Sequence, residues 1–240
     1  MKQDKDMLQT VEVNGIKMHY IVSGEGTPVV LIHGNGEDHT IFRTQIIQLT
    51  AAGCKVYAPD SRGHGANIPM PEYHYHDMAD DIYEFIKAMK LSKPVLYGHS
   101  DGGIIGLLLE IRHPGTLGAL AISGTNLSPA GMIPSFVEEL SEAARQHPDP
   151  LITLMLTEPQ ISVQDLASIR IPVLVTSGEH DLILRSETET IAASIPDAEM
   201  IIVEKEDHGS YIVGSEIMGN LLLSFLTKKH IHPAAQDRYA

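Results

Sequence analysis

The sequence predicts an α/β fold, a mostly parallel sheet of roughly eight strands with helices on both faces. Short runs of β-branched residues alternate along the chain with segments whose apolar residues recur at helical spacing, and this alternation is typical of βα units. Several runs, such as residues 29–32, are apolar without a break, as expected of strands covered on both faces. The length of 240 residues and the hydrophobic content of 43% suit a single domain over 1–240 with a sizeable core.

The strands are expected at short apolar or alternating runs bounded by turn residues. The first two flank Asn14 and Gly15, a pair that strongly favours a hairpin turn. The eight expected strands span residues 8–13, 16–22, 29–32, 55–58, 94–97, 117–122, 172–176 and 199–203.

The connecting helices are expected where apolar residues recur three or four positions apart. They span residues 38–52, 77–89, the stretch from just after Ser100 to about 111, 185–194 and 211–225. Gly53 suits the end of the first of these helices, and Asp77 suits the start of the second.

One long insertion interrupts the alternation, between the sixth and seventh strands at about residues 126–169. Five prolines divide it into short helical pieces around residues 136–145 and 149–156. An insertion at the carboxyl edge of a parallel sheet predicts a lid over a binding site. The alternative is a helical excursion that touches no ligand.

The charge balance excludes some classes of partner. The chain carries 17 basic and 31 acidic residues, a net charge of −14, which repels the phosphates of nucleic acids and anionic membrane surfaces. Residues 1–6 are too polar for a signal peptide, and no apolar run is long enough to span a bilayer. We therefore expect a cytoplasmic protein with no nucleic acid or membrane partner.

The segment GHSDGG, residues 98–103, follows an expected strand and opens an expected helix. A G-x-S-x-G sequence in that context predicts a nucleophile elbow, in which glycines permit a tight turn that exposes the serine hydroxyl. The free N–H groups at the start of the helix also favour negative charge there. Ser100 is the expected nucleophile.

A serine needs a base to accept its proton, and the base needs an acceptor that orients it. His208 follows the last expected strand, so it lies at the same edge of the sheet as Ser100. Asp181 follows the strand before it and is the expected acceptor; Glu179 is a weaker candidate, and Asp207 adjoins His208 too closely to reach its ring.

The tetrahedral intermediate of acyl transfer needs hydrogen-bond donors for its oxyanion. The backbone N–H of Asp101, the residue after the nucleophile, is one expected donor. The other is the N–H of Asn35, in the glycine-rich turn that follows the strand at residues 29–32.

Over residues 10–228 these motifs, in the order Ser–Asp–His, resemble the α/β-hydrolase fold superfamily, in its small-lid esterase-like branch. The segment DSRGHG, residues 60–65, adds to the resemblance through a loop that is mainly structural in that family. The resemblance implies a serine hydrolase that cleaves a small carboxylic ester or related acyl bond and needs no cofactor or metal. A serine at position 100 disfavours haloalkane dehalogenases and epoxide hydrolases, which use an aspartate there.

Several functions with the same three residues remain open. They include a cofactor-free perhydrolase of the haloperoxidase-like group, a C–C bond hydrolase, and a ligand receptor that keeps the fold. The apolar residues of the insertion predict a pocket for a small substrate with an apolar acyl group, lined by Met132, Phe136, Leu154 and Met155. The oligomeric state is not readable from the sequence.

Overall fold

The computed structural model describes residues 8–231. Residues 1–6, on which the argument against a signal peptide rests, lie outside this range. Within residues 8–231, no helix combines the length and the apolar character needed to cross a bilayer.

Eight strands form one sheet: β1 (Gln9–Val13), β2 (Ile16–Gly24), β3 (Thr27–Ile32), β4 (Cys54–Pro59), β5 (Val95–His99), β6 (Ala119–Ser123), β7 (Val173–His180) and β8 (Ala198–Asp207). The first two form an antiparallel hairpin, and β2 also pairs antiparallel with β4. The remaining strands are parallel to one another, which confirms the predicted α/β class with a mostly parallel sheet. The order of the strands across the sheet is β1-β2-β4-β3-β5-β6-β7-β8.

The helices lie between these strands and after the last one. Three of them belong to the long segment between β6 and β7. The helices are α1 (Arg43–Ala51), α2 (Tyr75–Ala88), α3 (Asp101–Arg112), α4 (Pro134–Gln146), α5 (Pro150–Thr157), α6 (Val163–Leu166), α7 (Arg185–Ser194) and α8 (Ile217–Lys228).

The sheet has a core on each face, as its unbroken apolar strands predict. Along β3, Val29 and Leu31 pack into one cluster with side chains of α1 and α8. Val30 and Ile32 pack into the other cluster with side chains of α2 and α3. Successive side chains of a strand point to opposite faces, so a strand buried on both sides is apolar at every position.

The last helix starts later than the sequence predicts. Residues 208–214 form turns, and α8 begins only at Ile217. The buried amide of Gln45 donates to the carbonyls of Ile212 and Ser215, at 2.8 and 2.9 Å. This side chain satisfies backbone groups that a helix would otherwise pair, and Gly214 supplies a φ of +68° within the turn.

Helix α2 begins two residues earlier than expected. Tyr75 is its first residue, and its backbone N–H donates to the Glu158 carboxylate at 3.0 Å. Asp77 therefore lies inside the first turn, 3.2 Å from the Arg62 guanidinium, and does not cap the helix. Glu158 lies in the segment between β6 and β7, so the sequence around residue 75 could not predict this contact.

The loop at residues 60–65 is held by buried polar contacts. Asp60 accepts the backbone N–H of His39 at 2.9 Å. The Arg62 guanidinium donates two hydrogen bonds to Asp81 of α2, at 2.7 and 2.6 Å. These hydrogen bonds offset part of the cost of burying the two charges, and they tie the loop to α2.

Candidate active site

Ser100 lies on a tight turn between β5 and α3, with φ +52° and ψ −115°, a conformation that non-glycine residues rarely adopt. The glycines around it make the turn possible. A Cβ on Gly98 would lie 2.1 Å from the carbonyl oxygen of Gly102, and one on Gly102 would lie 2.0 Å from that of Ile32. The Ser100 N–H donates to the Ser123 carbonyl at 2.8 Å, which ties the turn to β6.

His208 and Asp181 follow the last two strands and form a hydrogen-bonded pair. Nδ1 of His208 lies 2.7 Å from Oδ1 of Asp181. A carboxylate can only accept, so Nδ1 carries the proton and Nε2 is free to act as a base. Asp181 also accepts the backbone N–H groups of Ile183 at 2.9 Å and Gly178 at 3.1 Å.

The environment of Asp181 keeps it ionised. Burial raises the pKa of its carboxyl group, but the hydrogen bond and charge of His208 and the two backbone N–H donors act more strongly in the opposite direction. The net pKa of Asp181 therefore lies below its ordinary value. Its negative charge is available to stabilise an imidazolium at His208.

Ser100 and His208 line one cavity of about 230 Å³ at the carboxyl edge of the sheet. The cavity lies where the connections from neighbouring strands diverge, since β3 leads to β4 on one side and β5 leads to β6 on the other. Its wall consists of Gly34, Asn35, Glu37, Tyr75, His99, Ser100, Asp101, Asn126, Met132, Phe136, Met155, Glu158, Leu182, Ile183 and His208.

Asn35 and Asp101, the two expected oxyanion donors, both line this cavity. Asp101 is the first residue of α3, and Asn35 lies in the loop after β3. That loop lies close to Ser100, because a Cβ on Gly34 would lie 3.1 Å from Cβ of Ser100. The Asn35 amide donates to the Asp101 carboxylate at 3.0 Å.

Comparison with known proteins agrees with this architecture. A family model described as alpha/beta hydrolase fold matches residues 27–148. The chain belongs to the alpha/beta hydrolase fold family.

Relatives of this hydrolase-fold chain are similar over much of its length. Serine hydrolase BPHL from Homo sapiens is 26% identical over 249 residues, which covers 90% of this chain and 85% of the relative. The 2-hydroxy-6-oxo-6-(2'-aminophenyl)hexa-2,4-dienoic acid hydrolase of Metapseudomonas resinovorans is 33% identical over 135 residues, 54% of this chain and 45% of the relative. The names of these relatives support a hydrolase of this fold.

A solved structure superimposes well on the chain. The esterase EaEST from Exiguobacterium antarcticum has a TM-score of 0.81 at 23% identity, and the match covers 92% of this chain and 100% of the esterase. At that identity the likeness shows the fold alone.

Three of the four expected pocket residues line the cavity of this hydrolase-fold protein: Met132, Phe136 and Met155. Leu154 does not, and the prediction for it was wrong. It is 2% exposed and packs into the core cluster beside α2 and α3, where it borders a different cavity. Consecutive residues of a helix point about 100° apart, so Met155 faces the site while Leu154 faces the core.

Sequence reasoning missed several residues that line the site. Among them, Glu37 accepts the Gly34 N–H at 2.8 Å, and its partial burial raises the pKa of its carboxyl group. The buried ring of His99 lies 4.8 Å from that of His208, between centroids. Burial, followed by the neighbouring His208, lowers the pKa of His99 to about 3, so this imidazole is neutral.

Gly124 is a further residue that the sequence analysis did not single out. A Cβ at this position would lie 2.7 Å from both Cε1 and Nδ1 of His208. A glycine directly after β6 was the available signal, because that loop ends at the same edge of the sheet. Only a residue without a side chain lets the His208 ring take its place beside Asp181.

Proposed function

We propose that the chain is a serine hydrolase that cleaves a small carboxylic ester or related acyl bond through an acyl-enzyme on Ser100. The observation that carries this proposal is the strained Ser100 turn in the same cavity as His208, whose Nδ1 is held by the buried Asp181. A nucleophile, a base and a group that orients the base are the three parts that activate a serine.

In the proposed reaction, Oγ of Ser100 attacks the ester carbonyl while Nε2 of His208 takes its proton. The carbonyl oxygen becomes negative and accepts hydrogen bonds from the backbone N–H groups of Asn35 and Asp101. His208 then protonates the departing alcohol, and the ester bond breaks to leave an acyl group on Ser100. A water molecule, deprotonated by His208, attacks this acyl group. The bond from the acyl group to Oγ of Ser100 then breaks, His208 returns the proton to Oγ, and the acid leaves.

The size and wall of the cavity support a small substrate. A volume of about 230 Å³ lies below the range of about 300–1,000 Å³ that is usual for drug-sized ligands. Met132, Phe136 and Met155 supply apolar surface for an acyl chain. We propose that the insertion at about residues 126–169, which supplies these side chains, acts as the lid of the site.

A C–C bond hydrolase is the second candidate, and the Metapseudomonas resinovorans relative is named as the hydrolase of a 2-hydroxy-6-oxo-dienoic acid. The substrate so named is a dienoic acid, which bears a carboxylate. The described residues around the cavity include Glu37, Asp101 and Glu158 but no lysine or arginine. A wall of that composition gives an anionic substrate no cationic partner, so it favours the ester reaction.

Turnover of p-nitrophenyl butyrate by the wild type and by Ser100→Ala tests the proposal. We expect the wild type to turn over and Ser100→Ala to lose activity by several orders of magnitude. The matched control is Ser61→Ala, which removes another buried serine hydroxyl, one without a hydrogen-bond partner among the described residues. Equal activity in all three proteins, or no turnover by folded wild type, would overturn the proposal.

A further inference from the structure

We infer that Tyr75 and the carboxylate of Asp101 are positioning residues for the oxyanion hole. They fix the positions of its two donor residues, Asn35 and Asp101, relative to each other. This inference rests on the proposed function, which assigns the donors to the backbone N–H groups of Asn35 and Asp101. It gives a role to side chains that the reaction scheme leaves unused.

A buried carboxylate next to the nucleophile calls for a physical reason. The turn at Ser100 needs glycines at positions 98 and 102, and from residue 101 it needs only a backbone N–H. Yet the Asp101 side chain is a carboxylate, and the residue is only 5% exposed. Burying such a group is costly unless hydrogen bonds compensate it, and an apolar side chain would avoid that cost.

Both oxygens of the Asp101 carboxylate have a donor. The Tyr75 hydroxyl donates to Oδ1 at 2.7 Å, and the Asn35 amide donates to Oδ2 at 3.0 Å. Tyr75 is itself 1% exposed and is the first residue of α2, so its position is set by packing. The carboxylate therefore links a rigid helix on one side to the Asn35 loop on the other.

The loop that contains Asn35 needs such a link because its backbone can adopt many conformations. Asn35 lies between Gly34 and Gly36, and Gly36 has a φ of +71° with no atom within 4 Å of where a Cβ would lie. Glycines on both sides give the Asn35 peptide a wide choice of orientations. The hydrogen bond from the Asn35 side chain to Asp101 restricts that choice and fixes one donor residue relative to the other.

The same amide also attaches the loop to the segment between β6 and β7. Nδ2 of Asn35 donates to the Leu151 carbonyl at 3.3 Å, in the first turn of α5. The loop is thus held on two sides, by Asp101 and by α5. Preorganised donors stabilise a transition state because they need no rearrangement as the charge develops.

The test is Tyr75→Phe, which removes one hydroxyl from the network. Its matched control is Tyr20→Phe, because the hydroxyl of this other buried tyrosine donates to Gln9 in the β1–β2 hairpin. The readout is kcat and KM for an oxygen ester and for the thionoester with the same leaving group. Sulfur accepts hydrogen bonds weakly, so the thionoester responds little to changes in the oxyanion hole.

We expect Tyr75→Phe to lower kcat for the oxygen ester about tenfold, with KM nearly unchanged and the thionoester rate much less affected. Asp101→Ala should change the ratio of the two rates in the same direction, because it removes the acceptor that the Tyr75 hydroxyl and the Asn35 amide share. Tyr20→Phe should match the wild type.

An unchanged ratio of oxygen-ester to thionoester rates in both Tyr75→Phe and Asp101→Ala would overturn the inference. So would an equal fall in both rates, which indicates a general loss of structure. Failure of the proposed function is distinguishable, since Ser100→Ala would then retain the activity of the wild type. The inference fails alone if turnover depends on Ser100 and the ratio does not depend on Tyr75 or Asp101.

Discussion

Oδ1 of Asp181 lies 2.7 Å from Nδ1 of His208, and the same oxygen accepts the backbone N–H of Ile183 at 2.9 Å. The second oxygen is held by the N–H of Gly178 at 3.1 Å. The carboxylate therefore has a fixed orientation, and it selects the His208 tautomer in which Nδ1 bears the proton. Replacing this carboxylate by an amide should therefore change the preferred tautomer of His208.

Asp181→Asn should lower kcat by about four orders of magnitude, measured as p-nitrophenyl butyrate turnover. An amide that donates toward His208 favours the tautomer with the proton on Nε2, which cannot accept the proton of Ser100. Glu179→Gln is the matched control, since Glu179 is exposed and accepts the backbone N–H of Lys205. A larger loss in Glu179→Gln would assign the acid to Glu179.

Gly124→Ala should inactivate the protein through His208. Gly124 has a φ of +56°, and a Cβ there would collide with the His208 ring at 2.7 Å. Gly115→Ala is the control, because Gly115 has a φ of +81° and open space around it. Both variants should lose about 1–2 kcal/mol of unfolding free energy from backbone strain. Only Gly124→Ala should lose turnover; retention of turnover in that variant would contradict the proposed place of His208.

Acidification should destabilise the fold through His33. This buried imidazole lies 2.7 Å from the Gly34 carbonyl through Nδ1, and its Nε2 accepts the Ser61 N–H at 2.9 Å, so both ring nitrogens are engaged in the neutral form. Burial, followed by the neighbouring His64, lowers the pKa of His33 to about 4. The unfolded chain binds this proton below about pH 6.5, so the free energy of unfolding should fall as the pH drops from there toward 4.

Urea denaturation at about pH 7 and about pH 5 measures this effect. His33→Asn should be less stable than the wild type at the higher pH, but it should lose less stability between the two values. His147→Asn is the control, because it removes an exposed imidazole between α4 and α5. Identical pH dependence in His33→Asn and the wild type would refute this role of His33.

The carboxylates around the cavity should discriminate against anionic acyl groups. We expect kcat/KM for p-nitrophenyl butyrate to exceed that for the p-nitrophenyl monoester of succinic acid. Glu37→Gln should reduce this preference about tenfold, because it removes one negative charge from the wall. Glu138→Gln, an exposed carboxylate of α4 outside the wall, should leave it unchanged. A preference that does not respond to Glu37→Gln would contradict an electrostatic origin.

The parts of the site that sequence reasoning could place are those set by local chemistry and strand order. Ser100 lies between Gly98 and Gly102, and the turn has no room for a side chain at either of these positions. Asp181 and His208 each follow a strand of a parallel sheet, and such positions meet at one edge. The sequence was sufficient to locate these strands, because strands that are buried on both faces of a sheet are apolar at every position.

The parts it could not place depend on contacts between distant segments. Leu154 and Met155 are adjacent and equally apolar, and only the docking of α5 decides which of them faces the cavity. The Gln45 side chain donates hydrogen bonds to the carbonyls of Ile212 and Ser215, in the stretch where the sequence predicts the first turns of the last helix. Glu37 enters the wall because the loop after β3 folds back on the Gly34 N–H, and no periodicity indicates that fold.

The most direct test of the central claim is to find which residue reacts with a fluorophosphonate, by intact mass and peptide mapping. An activated serine attacks phosphorus and displaces fluoride, which leaves a stable phosphonyl ester. We expect one adduct on the wild type, located on Ser100, and none on Ser100→Ala. A folded wild type that forms no adduct, or an adduct on another residue that persists in Ser100→Ala, would contradict it.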